Sequence, residues 1–195
     1  MSPNFNSAYS LQKRKRSNQR GAQAPEFAAA LTVLLIGVFL PLLDLGIIPV
    51  RWLLSKEIIQ GYTRKLALSE NFTQALAILE ADPSLETRLI HLGGVKPQAR
   101  TCQLVISQLK PPLGTFTADK PHMIPPEWLP GGKNSPCSYE VDLSMQVDFD
   151  PLFTINLGGA EIPGLTKPFT TTINARSAWE NFGCNPVTKQ FYINE

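Results

Sequence analysis

The group in this sequence whose chemistry most needs a partner is Glu26. It stands at the mouth of a long apolar run, Phe27 to Val50, that is broken only by Thr32 and Asp44. A carboxylate in that position is costly unless a positive group pairs with it. Five places earlier stands Gly21, whose missing side chain lets the backbone lie extended against another surface. Asp44 is a second carboxylate, nearer the far edge of the run. Held charged at a bilayer centre it would cost on the order of 2.5–3.5 kcal/mol. It therefore either reaches the outer headgroups or serves in contacts between subunits. Cys102, Cys137 and Cys184 all follow the run and none forms a C-x-x-C pair, so no zinc or redox site is expected. His91 and His122 lack companions that would build a metal site or activate a nucleophile. Glu140, Asp142, Asp148 and Asp150 have calcium-like composition, but they alternate along a strand and read as its wet face. Gly131-Gly132 and Gly158-Gly159 lack the flanking residues of a phosphate loop. The expectation is a protein without catalytic group, metal or cofactor.

The apolar run sets where these residues sit. Twenty-four helical residues reach roughly 36 Å at about 1.5 Å each, enough to cross roughly 30 Å of hydrocarbon with some tilt. Lys13, Arg14, Lys15, Arg16 and Arg20 precede it with no acid among them, so losing residues 1–21 takes the formal charge from +2 to −3. Cations close to a span stay on the cytoplasmic side, and Arg51, Lys56, Arg64 and Lys65 beyond it are partly offset by Glu57. That bias places the N-terminus inside and the bulk of the chain outside, and it makes nucleic-acid binding a poor reading of the basic cluster. Pro25 suits a first helical turn, whereas Pro41 and Pro49 fall in the interior and predict kinks or local unwinding.

Beyond the span, Ile58, Ile59, Tyr62 and Leu66 keep helical spacing, which extends the anchor into an amphipathic stem. Ser69–Asn71 and Asp82-Pro83 mark new helix starts, and Gly93-Gly94 marks a stop. Tyr139 to Phe149 and Phe169 to Trp179 alternate apolar with polar, and Thr101 to Leu109 does so less regularly. Between the first two of these strands in chain order, residues 110–136 hold Pro111, Pro112, Pro121, Pro125, Pro126, Pro130 and Pro136, the composition of a stiff surface loop. Trp128 in it either meets a partner or pins the loop to the sheet. The predicted fold is α+β: a long N-terminal membrane helix, then a small head with an antiparallel sheet of about three strands. Its parts are a basic leader over 1–21, a transmembrane helix over 22–54 and an exported head over 55–195. Within the head, the stem and short helices occupy 55–94 and the sheet 101–180.

The basic leader, Gly21, Glu26 five places on and the apolar run together resemble the class III signal of bacterial type IV pilins and pseudopilins. The pair Glu26-Phe27 and the later Asp44-Leu45-Gly46 narrow the resemblance to the TadE-like minor pilins of the tight-adherence (Flp pilus) system. The match covers residues 12–54. The chain departs from the pattern in Thr32, where a proline is common, in Pro41 and Pro49, and in starting the mature chain with Ala22. The resemblance implies a pilin-like head and a cut by prepilin peptidase between Gly21 and Ala22. The new amine on Ala22 would then lie one helical turn from Glu26, which would pair with it or with a neighbour's. Phe27 matches the aromatic that Flp-type sequences place there, and Glu26, Phe27 and Asp44 become the assembly residues. The implied partners are prepilin peptidase, other pilin or pseudopilin subunits, the assembly platform of the bacterial inner membrane and membrane lipid, with no nucleic acid.

A meander places the start of strand 139–149 beside the end of strand 169–179. Cys137 and Cys184 flank those ends, so a Cys137–Cys184 bridge is expected, with Cys102 a free, buried thiol; C-terminal bridges also occur in many type IV pilins that the chain resembles. Such a bridge closes a loop of roughly fifty residues, worth about 4 kcal/mol in the chain-entropy model. The alternative is three reduced cysteines. Three other functional readings stand beside the pilin-like one. An unprocessed single-span protein with a periplasmic binding head would keep its N-terminus intact, and a type II secretion pseudopilin would have a more regular span. A membrane-tethered enzyme would need an active-site cluster that the sequence lacks.

Overall fold

The computed structural model describes residues 24–153, 159 and 161–195. Leucine, isoleucine and valine follow one another with few breakers, and the apolar run folds as one helix, α1, over Ala24–Ala67. Pro25 is the second described residue of this helix; whether it falls in a first turn rests on residues 1–23, outside the described residues. Pro41 lies in the interior: it has no N–H to give, and its ring crowds the carbonyl of Gly37. The helix widens into a π-helical turn over Leu35–Phe39, immediately before that proline, which relieves the crowding without ending the helix. Pro49 sits inside a stretch that stays α-helical, so the disruption expected at both prolines occurs at one. Anchor and stem are one continuous helix, as the spacing of Ile58, Ile59, Tyr62 and Leu66 predicts.

The chain divides into two compact units at Gly46/Ile47. In the first, the helix leaves Phe27, Leu31, Val33 to Ile36, Val38, Phe39, Leu42, Leu43 and Leu45 exposed. A helix apolar all round suits a membrane or a neighbouring helix rather than water. Ala24–Ala67 is long and apolar enough to cross a membrane.

In the second unit α1 buries a stripe at three- and four-residue intervals, Ile48, Arg51, Ser55, Ile59, Tyr62 and Leu66. The helix α2 spans Phe72–Ala81, and Asn71 caps it by accepting from the Gln74 amide at 2.8 Å. The helix α3 spans Ser84–Ile90. Ahead of it Asp82 accepts from the Ser84 amide and pairs with Lys65 at 2.6 Å. The Lys65 ammonium, helped by the Ser84 donors, holds the Asp82 carboxyl well below the usual carboxylate range. Gly93 and Gly94 follow α3 at φ 70° and 66°, a backbone that glycine adopts without strain. The stops and caps expected at Ser69–Asn71, Asp82-Pro83 and Gly93-Gly94 are where the sequence places them.

The sheet has four strands, not about three: β1 Val95–Gln108, β2 Thr115–Ala118, β3 Cys137–Phe149 and β4 Phe169–Ala178, in the order β2-β1-β3-β4. Every pairing is antiparallel. The additional strand is β2, inside the stretch expected to be loop. The turn through Pro111 to Gly114 sends the chain back along β1, and Ser107 to Leu104 pair with Thr115 to Ala118. β1 also begins six residues before Thr101, with an irregular register between Pro97 and Arg100.

Period-two burial holds on β3, where Tyr139, Val141, Leu143, Met145, Val147 and Phe149 all face the core. On β4 the inward row is weaker: Ile173 and Ala175 are buried, with Trp179 just beyond the strand, but Phe169 stays partly exposed. These side chains form one cluster with Ile59, Tyr62, Leu66, Phe72, Leu85 and Leu89. Full burial of each Leu, Ile or Phe contributes about 1.5–3 kcal/mol. The C-terminal residues close one end. Ile193 is buried, the Thr73 amide donates to the Glu195 carbonyl at 2.8 Å, and the Ile124 amide donates to Asn194 Oδ1 at 3.0 Å. Trp128 stacks on Phe116 at 5.9 Å, and its carbonyl accepts from the Tyr139 hydroxyl at 3.0 Å. It pins the proline-rich stretch to the sheet.

Candidate processing and assembly site

Gly21 and Ala22 lie outside the described residues. Glu26 and Phe27 lie near the N-terminal end of the described part of α1, and both are exposed. Five residues further on, Thr32 donates to the Ala28 carbonyl at 2.8 Å. That bond satisfies the hydroxyl within the helix, so Thr32 needs no partner from outside. Glu26 is therefore the polar side chain that the early part of this helix offers to a neighbour.

Asp44 is buried in the chain, not exposed along the helix. Of the three expected assembly residues, Glu26 and Phe27 are the accessible pair. Arg51 also departs from expectation. After a span it reads as a solvated cation, yet it is buried, with Nη1 donating to the Asp150 carbonyl at 2.8 Å. Its guanidinium lies so close over Gly94 that a Cβ there would meet Nη1 at 2.8 Å. One arginine thus holds both the turn before β1 and the chain leaving β3 against the helix. Its only sequence signal is its place seven residues ahead of Ile58 and eight ahead of Ile59, on the side of the helix that becomes the stem's core face.

The acidic row on β3 is not one wet face. Asp142 is buried and takes Arg176 Nε at 3.1 Å. Asp148 accepts from Gln98 and Thr170, and Asp150 pairs with Lys96 at 2.7 Å. Among the described residues no group of three or more His, Cys, Asp or Glu is arranged to hold a metal ion.

The cysteines follow expectation in place but not in bonding. β3 and β4 are antiparallel neighbours, and Phe182 packs edge-on against Tyr139 at 5.3 Å, so the chain leading to Cys184 passes the start of β3. All three cysteines are nevertheless free thiols, and the expected Cys137–Cys184 bridge is not formed. Cys137 Sγ donates to the Asn134 carbonyl at 3.2 Å. Cys184 bridges by its backbone to Phe191 in the C-terminal turn, which draws it toward that segment. Cys102 is buried, as expected of the free thiol.

Burial, with Asp142 nearby, pushes the Cys102 thiol up to about 12 from an ordinary 9.0, and burial also raises Cys137. The thiolate is the nucleophile, so alkylation of the folded, reduced chain should label Cys184 first and Cys102 last. For Cys102 the unfolded chain loses its proton near 9.0 and the folded chain only near 12. Its contribution to stability is whole below the first value and falls away between the two as pH rises. Peptide mapping after timed alkylation checks the order, and equal labelling of Cys102 and Cys184 would refute it. A Cys137–Cys184 bridge formed on export would remove that pair from the labelled set until reduction.

No protein-family model matches the chain, and neither a curated protein nor a solved structure matches it.

Proposed function

We propose that this chain is a TadE-like minor pilin or pseudopilin of a Tad/Flp-type pilus or secretion system. In this reading it sits in the bacterial inner membrane with the head outside, is cut by prepilin peptidase between Gly21 and Ala22, and assembles by packing of its N-terminal helix. The observation that carries the reading is Glu26: an exposed carboxylate near the N-terminal end of the described apolar helix, five residues after the glycine of a basic leader. Cutting after Gly21 would put an amine four residues before Glu26, the spacing at which two groups share a face of a helix. Where helices stack in an apolar surrounding, a charge is tolerated only when paired, so the amine and carboxylate fix the axial register of neighbours. The exposed apolar side chains from Phe27 to Leu45 supply the packing surface.

The test is the N-terminal mass of the protein extracted from membranes of strains with and without prepilin peptidase. A start at Ala22 only when the peptidase is present is the expected result. An intact Met1 in both strains would overturn this reading and leave a single-span protein with a periplasmic binding head.

A further inference from the structure

Two described parts of the β3–β4 connection, 150–153 and 161–168, are each tied to α1. Arg51 takes the Asp150 carbonyl at 2.8 Å. At Gly164, where φ is 83°, an added Cβ would meet Ile48 Cδ1 at 2.5 Å. Ile48 and Arg51 are one helical turn apart, and Ile48 belongs to the last turn of the apolar run that ends at Val50. Both parts are therefore held beside the end of the apolar run, where a spanning helix passes from hydrocarbon to headgroups.

Its side chains suit that depth. Leu152, Phe153 and Ile162 are 47%, 44% and 39% exposed, and Phe169 at the base of the connection is also open. Leu152 and Phe153 lie two and three residues beyond the Arg51 tie, and Ile162 lies two before the Ile48 contact. The nearby charges are paired: Lys167 with Glu161 at 2.9 Å and Lys96 with Asp150 at 2.7 Å. Pairing lowers the cost of approaching a bilayer, and large apolar side chains left exposed beside the end of a spanning helix suit contact with lipid.

We infer that Leu152, Phe153 and Ile162 form a second membrane contact of the head, seated in the headgroup and upper acyl region of the leaflet on the head's side. Lipid is the occupant because the patch is continuous with the end of the apolar run through Ile48. The contact would hold the head down on the bilayer while the subunit waits in the membrane. It rests on α1 crossing a bilayer and not on cleavage after Gly21, so the uncut full chain tests it.

The chain, with Cys137→Ser and Cys184→Ser and the buried Cys102 left in place, carries bimane on Phe153→Cys or Ile162→Cys. It is reconstituted in phosphatidylethanolamine and phosphatidylglycerol vesicles containing lipids with nitroxide at the headgroup or the upper acyl chain. Leu42→Cys reports insertion of the anchor. Val187→Cys reports a site away from the bilayer, in the segment beyond Phe182, which packs at the other end of a strand roughly 40 Å long. Bimane at positions 153 and 162 should be quenched several-fold more than at 187. Quenching at 153 and 162 no greater than at 187, with position 42 quenched, would overturn the inference. An unquenched position 42 would overturn it together with the anchor. Pyrene excimer emission from position 153 without lipid quenching would assign the patch to a second copy of the chain and also overturn it.

Discussion

Gly21→Val is expected to leave the leader attached in cells that carry prepilin peptidase, an all-or-none loss of the cut. A protease must bind its substrate backbone extended, and glycine at the cleaved position brings no side chain into that channel. Valine is branched at Cβ, stiff at χ1 and bulky beside the scissile bond. The uncut chain keeps five cations and a formal charge of +2, and it should still insert, because the apolar run is untouched. Membrane extraction followed by intact mass gives the result directly. A variant that is cut as fast as the parent would mean that the bond after Gly21 is not the site.

Glu26→Ala should separate cutting from assembly. The variant is expected to insert and to start at Ala22, since the leader and Gly21 remain. It should then enter pili or pseudopilus complexes more than tenfold less than the parent. Removing one partner of a pair in an apolar surrounding costs about 3–5 kcal/mol, because the remaining charge is left unpaired. Here that remainder is the new Ala22 amine. Glu26→Asp tests the geometry, as it keeps the charge but shortens the reach. Normal incorporation of Glu26→Ala beside the parent protein would show that the carboxylate does not set register.

The sequence makes legible those parts of the fold in which one physical demand acts on many residues. β3 is the clearest case: six alternate positions from Tyr139 to Phe149 must all face the core, and the pattern survives any local exception. The apolar length of α1, the Asn71 cap and the Gly93-Gly94 stop are legible for the same reason. β2 is not, because four residues among prolines carry no period of their own and pair only once β1 lies beside them. Asp142 and Arg51 are misread in a related way. A single charged residue looks solvated until a second element covers it, and neither Arg176 nor Asp150 is near in sequence to its partner. Of the candidate site, Glu26 and Phe27 stand accessible where the helical spacing puts them. The burial of Asp44 could not be foreseen from composition along one helix.

Arg51 has a mechanical consequence. In the proposed assembly a subunit would be loaded through its anchor, and a pull along α1 would reach the head at the last turn of the apolar run. There the guanidinium grips the Asp150 carbonyl, and the buried stripe behind it continues through Ile59 and Tyr62 to Leu66. The stripe runs along the helix axis, so an axial load is borne by all its contacts in parallel as shear and is not concentrated on one contact at a time as in peeling. Contacts that are individually small and collectively large resist that kind of loading well. If the proposed assembly forms, the head could be dragged by its helix without being unzipped from it.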